Sequence, residues 1–294
     1  MRSLSRSGLA FFLLACFVCL GAADVSLYQQ SVEKWRQNYE AKLKADDGWL
    51  TVSGLIWLHE GENRFGSAPG NDVVLPSAAV PANAGHFDLH AGKTVVHVNP
   101  GVAITMGGKP VESAELRPDS KTDRLKIGDL TFFVHATGNR FAIRLKDKNS
   151  KLRKDFTGLH WYPVSEKYRF NARFVAYDSP RKMEIETMLG DHEKLDIVGY
   201  VTFSLGGKEY RLDAEKDDNT GGLFIVFRDL TSTKETYQAA RFLDTDQPKD
   251  GRVELDFNKA YNPPCAYNPY TTCPLPSPGN RLQVKIPAGE KRYH

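Results

Sequence analysis

The order of hydrophobic and polar positions begins with one helical stretch. Between residues 27 and 45, apolar and aromatic side chains recur at helical spacing, at Tyr28, Val32, Trp35, Tyr39 and Leu43. Ser26, followed by Gln29 three positions later, fits a capping box at the start of this stretch, and Asp46-Asp47-Gly48 fits its end. The pattern predicts one N-terminal amphipathic helix within residues 24–48.

Residues after Trp49 alternate between apolar and polar with a period of two. The alternation is clearest from Tyr168 to Ala176 and again over residues 182–187. Gly206-Gly207 separates two further short strands and predicts a hairpin turn. Short strands with few helical periods between them predict a mainly β protein, built as a sandwich or a barrel.

A charged segment divides this β pattern into two parts. Residues 146–155 read KDKNSKLRKD, and Leu152 is the one core-type residue among them. We therefore predict a β-sandwich over residues 49–150 and a second antiparallel β unit over residues 151–294.

Composition and charge exclude several classes of protein. The chain has 294 residues, of which 41% are hydrophobic and 26% are charged, as in ordinary globular proteins. These values exclude a disordered chain, a collagen, a coiled coil and a polytopic membrane protein. The 39 Lys and Arg residues nearly balance the 36 Asp and Glu residues, so no surplus of positive charge points to nucleic acid or anionic lipid as a partner.

The first 23 residues have the pattern of a secretory signal peptide. Arg2 and Arg6 precede an apolar run over residues 9–20, and Gly21-Ala22-Ala23 follows. Twelve helical residues rise about 18 Å, which is too short for a bilayer core of about 30 Å. We expect cleavage near Ala23 and export to the periplasm or the medium. An alternative is a lipoprotein box, Leu13-Leu14-Ala15-Cys16, with a lipid on Cys16.

Two cysteines lie outside this leader, Cys265 and Cys273. In an oxidising compartment they predict one disulfide that closes a small loop. Two reduced structural thiols are an alternative, and a catalytic thiol is another.

Searches for metal and cofactor motifs give no candidate. His86, Asp88 and His90 share one face of a predicted strand, but His86 and His90 lie about 13 Å apart at about 3.3 Å per residue. One ion with bonds near 2 Å cannot join them. The sequence also lacks G-x-S-x-G, H-E-x-x-H, G-x-G-x-x-G and P-loop motifs, so we predict neither a metal nor a cofactor.

The segment from Asp256 to Glu290 differs from the rest of the chain. Six of the 16 prolines fall between Pro263 and Pro278, and they disfavour both helix and central strand. A long irregular run in a compact domain is often functional. Its uncharged polar and aromatic side chains are the predicted ligand-binding residues, namely Asn258, Tyr261, Asn262, Tyr267, Tyr270 and Asn280. The alternative is a structural segment that covers a sheet edge.

Two functions fit this segment. The first is a binding or scaffold protein that holds a small molecule, a sugar or a peptide beside Arg241. The second is a hydrolase or transferase without a cofactor, in which Asp256 or Glu290 is the general base, Cys265 is the nucleophile and Arg241 stabilises an anion. A purely structural envelope protein is a third, weaker interpretation.

Residues 63–145 carry motifs in a familiar order, namely Phe65-Gly66-Ser67, Asn71 to Pro76, Gly107 to Val111 and Leu125 to Asp129. In this order they resemble the forkhead-associated (FHA) β-sandwich, and the resemblance implies that fold. In that family an Arg after the first Gly binds phosphothreonine, but Ser67 stands at this position, and residues 80–86 lack the expected Ser. Without that cationic donor, we do not expect phosphopeptide binding.

Three further segments are shared with an uncharacterised family, namely Trp49 to Ser67, Thr236 to Leu243 and Asp256 to Glu290. Through them the chain closely resembles the domain of unknown function 1684 over nearly all of its length after the leader. The resemblance implies little about chemistry, because no activity defines the family.

Overall fold

The computed structural model describes residues 27–76, 78–217 and 220–293. The predicted leader, its cleavage near Ala23 and the alternative lipid on Cys16 therefore lie outside the described residues. The predicted N-terminal helix is confirmed as α1, residues 27–44. Tyr28, Val32 and Leu43 of its apolar stripe are buried. Gly48 follows the helix where a Cβ atom would lie 2.2 Å from the carbonyl oxygen of Leu43, so this close turn admits only glycine.

The first β unit is a sandwich of two sheets, which confirms the predicted architecture. Its strands are β1 (Val52–Trp57), β2 (Gly61–Gly66), β3 (Val73–Val74), β4 (Gly85–His90), β5 (Lys93–Val98), β6 (Thr105–Met106), β7 (Lys109–Pro110), β8 (Ser113–Leu116), β9 (Leu125–Ile127), β10 (Leu130–Thr137) and β11 (Arg140–Asp147). One sheet has the order β1-β11-β10-β9-β6-β7, and the other has the order β3-β2-β4-β5-β8. Phe65 and Phe87 from one sheet pack with Phe132 from the other to form the core between them.

The second β unit is a single antiparallel sheet. Its strands are β12 (Arg169–Glu186), β13 (His192–Leu205), β14 (Lys208–Lys216), β15 (Leu223–Phe227), β16 (Arg241–Asp244) and β17 (Arg252–Asp256), in the order β16-β15-β14-β13-β12-β17. Gly206 and Gly207 have φ angles of 62° and 78°, the left-handed values of a two-residue hairpin turn, so the predicted hairpin is confirmed. The two predicted alternating runs after Tyr168 form one strand, β12, which is interrupted by an irregularity between Ala176 and Arg181.

Short helices occupy the connecting segments of the described chain. They are the α-helical turn α2 (Lys151–Lys154) and the 3-10 turns Trp49–Thr51, Glu166–Tyr168, Phe257–Lys259, Pro264–Ala266 and Pro278–Asn280. Within the described residues, no helix is both long and apolar enough to cross a membrane.

Strands β10 and β11 are covered on both faces. Phe132 and Val134 point into the sandwich core, whereas His135 and Arg144 lie on the opposite face and are also buried. Three contacts join this outer region to the second unit: His135 to Thr272, Thr137 to Glu193, and Arg140 to Asp191. Part of the outer face of the first unit is therefore covered by the second unit, and His135 and Arg144 on it are shielded from bulk water.

The C-terminal block, residues 256–290, packs across the second sheet. It contains short 3-10 turns and isolated bridges, as its prolines predict. Leu282, Ile286 and Ala288 complete the core of the second unit. These three residues therefore have a structural role in the second unit.

Candidate functional site

A cavity of about 830 Å³ lies where α1, the outer face of the first unit and the C-terminal block meet. The polar side chains that line it include Asp119, His135, Arg144, Glu193, Thr272 and Cys273. Trp49, Phe242 and Tyr261 contribute aromatic surface. Asp119, His135 and Arg144 come from the first unit, so the cavity joins their charged groups to polar and aromatic side chains that come largely from the second unit.

His135 on β10 joins two oxygen-bearing side chains in this wall. Its Nδ1 lies 2.8 Å from Asp119 Oδ1, and its Nε2 lies 2.9 Å from Thr272 Oγ1. Asp119 Oδ2 also accepts a bond from the backbone N–H of Ala136. Burial opposes ionisation of Asp119, but the hydrogen bond and charge of His135 outweigh it, so the pKa of this carboxyl is lowered. In the neutral tautomer with hydrogen on Nδ1, His135 donates to Asp119, and its Nε2 accepts the Thr272 hydroxyl hydrogen.

Arg144 on β11 places a guanidinium in the same wall. Arg144 is buried, with 5% of its surface exposed. Within the described residues, its Nε and Nη2 atoms have no hydrogen-bond partner. Burial lowers the pKa of Arg144, while Asp119 and Cys273 oppose this effect. A buried donor without a partner costs free energy, so the Nε and Nη2 atoms of Arg144 have unmet hydrogen-bonding capacity.

Cys273 lies at the cavity wall and Cys265 lies behind it. Both are free thiols, so the predicted disulfide is not formed in this structure. Instead, Cys273 Sγ accepts a hydrogen bond from the backbone N–H of Cys265 at 3.4 Å. The pKa of Cys273 is lowered because it accepts hydrogen bonds from the Cys265 thiol and N–H, whereas the same shared hydrogen raises the pKa of Cys265. Of the two, Cys273 is the more acidic thiol, although the sequence favoured Cys265 as the nucleophile.

Tyr261 forms the aromatic wall together with the helix. Its hydroxyl donates to Asp244 Oδ2 at 2.9 Å, and its ring centroid lies 4.8 Å from that of Tyr39 on α1. Burial raises the pKa of Tyr261 well above the ordinary value and also raises the pKa of Asp244. Among the predicted ligand-binding residues, Tyr261 is thus placed at the cavity as a neutral, oriented ring.

The predicted catalytic residue Arg241 lies elsewhere and is fully buried. It donates to the carbonyl oxygens of Ile286 and Ala288 and lies 3.6 Å from Asp229. Its cation therefore secures the last part of the C-terminal block to the second sheet. Arg241 does not line the cavity.

Asp256 and Asn258, two further predicted site residues, attach the helix to the block. Asp256 Oδ1 accepts bonds from the Tyr28 hydroxyl, the Asn258 N–H and the Asn258 side chain, each at 2.9 to 3.0 Å. Asn258 also bonds both backbone groups of Ser165. These buried contacts engage Asp256 Oδ1 and the Asn258 side chain, whereas Asp256 Oδ2 has no hydrogen-bond partner within the described residues.

Glu290 forms a similar internal network. Its carboxyl accepts bonds from the Asn262 N–H, the Asn262 side chain and the Tyr267 hydroxyl. Asn280 bonds the backbone of Asp213 and Val226 in the same manner, and Tyr270 is partly exposed away from the cavity. Of the predicted catalytic, ligand-binding and disulfide residues, Tyr261 and Cys273 are the two that line the cavity within the described part of the chain.

Sequence reasoning missed Asp119, His135, Arg144 and Thr272. The sequence signal for His135 and Arg144 is that they interrupt the mostly apolar runs 130–136 and 141–145, which is typical of strands buried on both faces. Asp119 and His135 are 16 positions apart, and Thr272 follows 137 positions later, so no local spacing joins them.

Comparisons with known proteins place the chain among uncharacterised relatives. Residues 154–291 match the family described as Protein of unknown function (DUF1684). An uncharacterised protein of Haloarcula marismortui, solved by solution NMR, is 33% identical, with 47% of this chain and 78% of that chain covered and a TM-score of 0.40. No curated protein matched.

Two FHA domains are also among the similar solved structures. One is the FhaA FHA domain complexed with the intracellular domain of Rv3910, at 17% identity over 30% of this chain and 84% of that chain, with a TM-score of 0.23. The other comes from a study of phosphothreonine-dependent FHA interactions, at 18% identity over 30% of this chain and 79% of that chain, with a TM-score of 0.23.

Proposed function

The chain belongs to the family of proteins of unknown function DUF1684, and we propose that it binds a small organic anion in the cavity beside Arg144. The observation that carries this proposal is the buried guanidinium edge, Nε and Nη2, which lacks a partner in the described residues. The anion would supply the two acceptors that the protein does not.

Two other arginines of this protein bind carboxylates through their Nε and Nη2 atoms. Arg117 uses Nε and Nη2 to hold the Asp123 carboxylate, and Arg140 uses the same two atoms to hold Asp191, with donor–acceptor distances of 2.7 to 2.9 Å. Arg144 lines the cavity and carries the same pair of donors, both buried, so an anion in the cavity would reach them after a rotation of the side chain. A carboxylate therefore fits this edge through two parallel hydrogen bonds, which is a favoured geometry for arginine.

The remainder of the ligand would face the aromatic wall. Trp49, Phe242 and Tyr261 offer ring surface, and a cavity of about 830 Å³ is large enough for a small molecule. We therefore favour an aromatic or aliphatic carboxylate over the sugar or peptide that the uncharged composition of the C-terminal block suggested. Other parts of that block serve as scaffold.

Calorimetric titration with a matched panel tests this proposal. The panel contains benzoate, phenylacetate and hexanoate, each paired with its neutral amide. We expect binding of at least one carboxylate, no binding of its amide, and loss of binding in Arg144→Gln. Arg117→Gln, which removes an exposed arginine with the same contact geometry, is the matched control and should bind normally. Equal binding of an acid and its amide, unchanged binding in Arg144→Gln, or a panel without binding would contradict the proposal.

A second candidate function is ester hydrolysis or acyl transfer without a cofactor. It is favoured by the order Asp119, His135, Thr272, with contacts of 2.8 and 2.9 Å, because a carboxylate, an imidazole and a hydroxyl in this order form the triad of serine hydrolases. Thr272 Oγ1 would attack an ester carbonyl carbon as its proton passes to His135 Nε2. The C–O bond to the leaving alcohol then breaks, and that alcohol takes the proton. Water hydrolyses the acyl-threonine by the reverse proton path.

Hydrolysis of p-nitrophenyl esters with chains of two to eight carbons tests this second candidate. We expect Thr272→Val and His135→Gln to lower the rate by roughly 10³-fold or more. Cys273→Ala is the control, because its thiol lies next in sequence on the same wall. If activity survives in Thr272→Val but is lost in Cys273→Ala, the nucleophile is Cys273 and not Thr272. Hydrolysis that is unaffected by His135→Gln would exclude this wall as the catalytic site.

A further inference from the structure

The five-stranded sheet of the first unit carries a histidine–aspartate–histidine cluster on its solvent-facing side. We propose that His86, Asp88 and His97 bind one divalent transition-metal ion, with zinc as the best fit. The proposal is independent of the cavity, because none of the three residues lines it.

Antiparallel pairing of β4 and β5 assembles the three side chains. His86 and Asp88 are two positions apart on β4, so they project from one face of the sheet. His97 on β5 lies directly opposite His86 in the register. The intervening Phe87 and its partner Val96 point into the sandwich core, which holds the two strands and orients the polar face outward.

The distances suit a shared ion. Asp88 Oδ2 lies 3.7 Å from His86 Nε2 and 3.5 Å from His97 Nε2. One ligand atom from each of the three residues lies within 4.8 Å of the others. Zinc bonds of about 2.0 to 2.1 Å in a tetrahedral arrangement separate neighbouring ligand atoms by about 3.3 Å. Rotations that move these atoms by a few tenths of an ångström to about an ångström would complete the site.

The neighbouring groups leave the three ligands available. Within the described residues, no hydrogen bond occupies the two Nε2 atoms or the Asp88 carboxylate. The side chains of His86 and Asp88 are 32% exposed and that of His97 is 42% exposed, so solvent reaches them. The imidazole rings stack with centroids 4.8 Å apart, which aligns both with the same carboxylate.

Charged residues on the adjoining strand are compatible with a cation. Glu62 is the register partner of Asp88 and adds a second carboxylate to this face. Arg64 is the partner of His86, but its guanidinium is turned toward Asp72, at 3.9 Å, and toward the Gly70 carbonyl oxygen, at 3.4 Å.

The donor set selects the class of metal. Two imidazole nitrogens and one carboxylate oxygen suit zinc and its first-row neighbours, whereas calcium and magnesium prefer oxygen ligands alone. Three protein ligands leave a position open, as at zinc sites that retain a water molecule. The partial exposure of the cluster places that open position toward solvent.

The third ligand could not be found from local spacing. His90 does not join the cluster, as its separation from His86 predicted, and its Nδ1 lies 3.5 Å from Glu60 instead. The third ligand, His97, comes from the next strand. The sequence argument against a metal site considered residues 86–90 alone and therefore did not include it.

Cobalt and zinc titrations of the untagged protein test the site, because a polyhistidine tag would bind the same ions. After treatment with EDTA and buffer exchange, Co²⁺ should produce d–d absorption bands that saturate at one ion per chain, and Zn²⁺ should displace it. His86→Ala and His97→Ala should each weaken zinc binding at least about tenfold. His90→Ala, on the same strand, and His59→Ala, beside Asp72, are the matched controls and should bind normally.

The overturning results are equally direct. The proposal fails if Co²⁺ gives no saturable spectrum, or if zinc affinity is unchanged in the His86→Ala/His97→Ala double variant with its folding verified by circular dichroism. Arg144→Gln should retain metal binding, so failure of the cavity proposal and failure of this one are separate outcomes.

Discussion

Arg144 carries a buried charge, and two of its donors, Nε and Nη2, have no hydrogen-bond partner among the described residues. Replacement of a buried, incompletely paired ion by a hydrophobic side chain of similar length is often neutral or stabilising. We therefore expect Arg144→Met to raise the free energy of unfolding by about 1 kcal/mol while it abolishes carboxylate binding. Urea denaturation measures the first effect and calorimetry the second.

Arg64→Met is the matched control for this stability measurement. The Arg64 side chain is 63% exposed and its partner Asp72 is 37% exposed, so its replacement should change stability by no more than about 0.5 kcal/mol. A marked loss of stability in Arg144→Met would instead assign Arg144 a structural role.

The buried carboxyl of Glu215 should make the free energy of unfolding decrease as pH rises. Its pKa is raised from 4.5 to about 7 by burial, with Glu193 and Asp196 adding repulsion. Between these two values the folded chain holds a proton that the unfolded chain has lost, so stability falls as pH rises from about 4.5 to about 7. Glu215→Gln mimics the protonated form and should therefore be nearly neutral at pH 4.5 and stabilising at pH 8.

Thermal or urea unfolding across this range checks the expectation. Glu209→Gln, an exposed change on the same strand, is the control and should change stability by no more than about 0.5 kcal/mol. A Glu215→Gln difference that does not grow between pH 4.5 and pH 8 would contradict the predicted burial effect.

Helix α1 is built onto the C-terminal block by hydrogen bonds from one face. The Tyr28 hydroxyl bonds Asp256, Arg36 bonds the Asn258 carbonyl oxygen, and the Tyr39 hydroxyl bonds the Asn262 carbonyl oxygen. Trp161 packs edge-on against Trp35 in the same region. The helix thereby fixes the position of the block and one wall of the cavity.

Tyr28→Phe tests this attachment. The change removes a donor from Asp256, which is 3% exposed, so we expect the free energy of unfolding to fall by about 1 to 3 kcal/mol. Ser31→Ala removes a local hydrogen bond within the same helix and should cost less. Urea denaturation of the two variants, compared with the parent, gives both values, and equal costs would contradict a special role for the Tyr28 contact.

At the scale of the elements, periodicity predicted what depends on local physics. The helical stripe from Tyr28 to Leu43 and the Gly206-Gly207 hairpin follow from spacing and turn chemistry alone, and both are confirmed. The packing of both faces of β10 and β11 was not predicted, because coverage of a second face depends on which distant segment lies there. Because the second unit covers this face, His135 and Arg144 are buried and line the cavity.

At the scale of the whole molecule, the cavity requires all parts of the chain. Asp119 and His135 come from the first unit, Tyr39 comes from α1, and Tyr261 and Thr272 come from the C-terminal block. The contacts that join the two units therefore decide the chemistry of the site. An isolated second unit would lack the charged wall.

We also propose that the whole protein is exported, on the basis of its leader pattern. The expected mature chain begins at Asp24, directly after Ala23. Intact mass spectrometry of protein from the native host or a secreting host checks this. A mass that retains residues 1–23 contradicts cleavage, and a lipid-modified chain that begins at Cys16 supports the alternative.

The sequence by itself determined the mainly β class, the single N-terminal helix, the family and the irregular character of residues 256–290, because these follow from periodicity, turn residues, prolines and shared motifs. Only the tertiary structure decided the roles of the polar residues. Arg241, Asp256 and Glu290 have the chemistry of an active site, yet burial and hydrogen bonds commit them to the scaffold. Residues joined across 16 to 137 positions form the candidate site instead, because only folding brings their side chains within hydrogen-bonding distance.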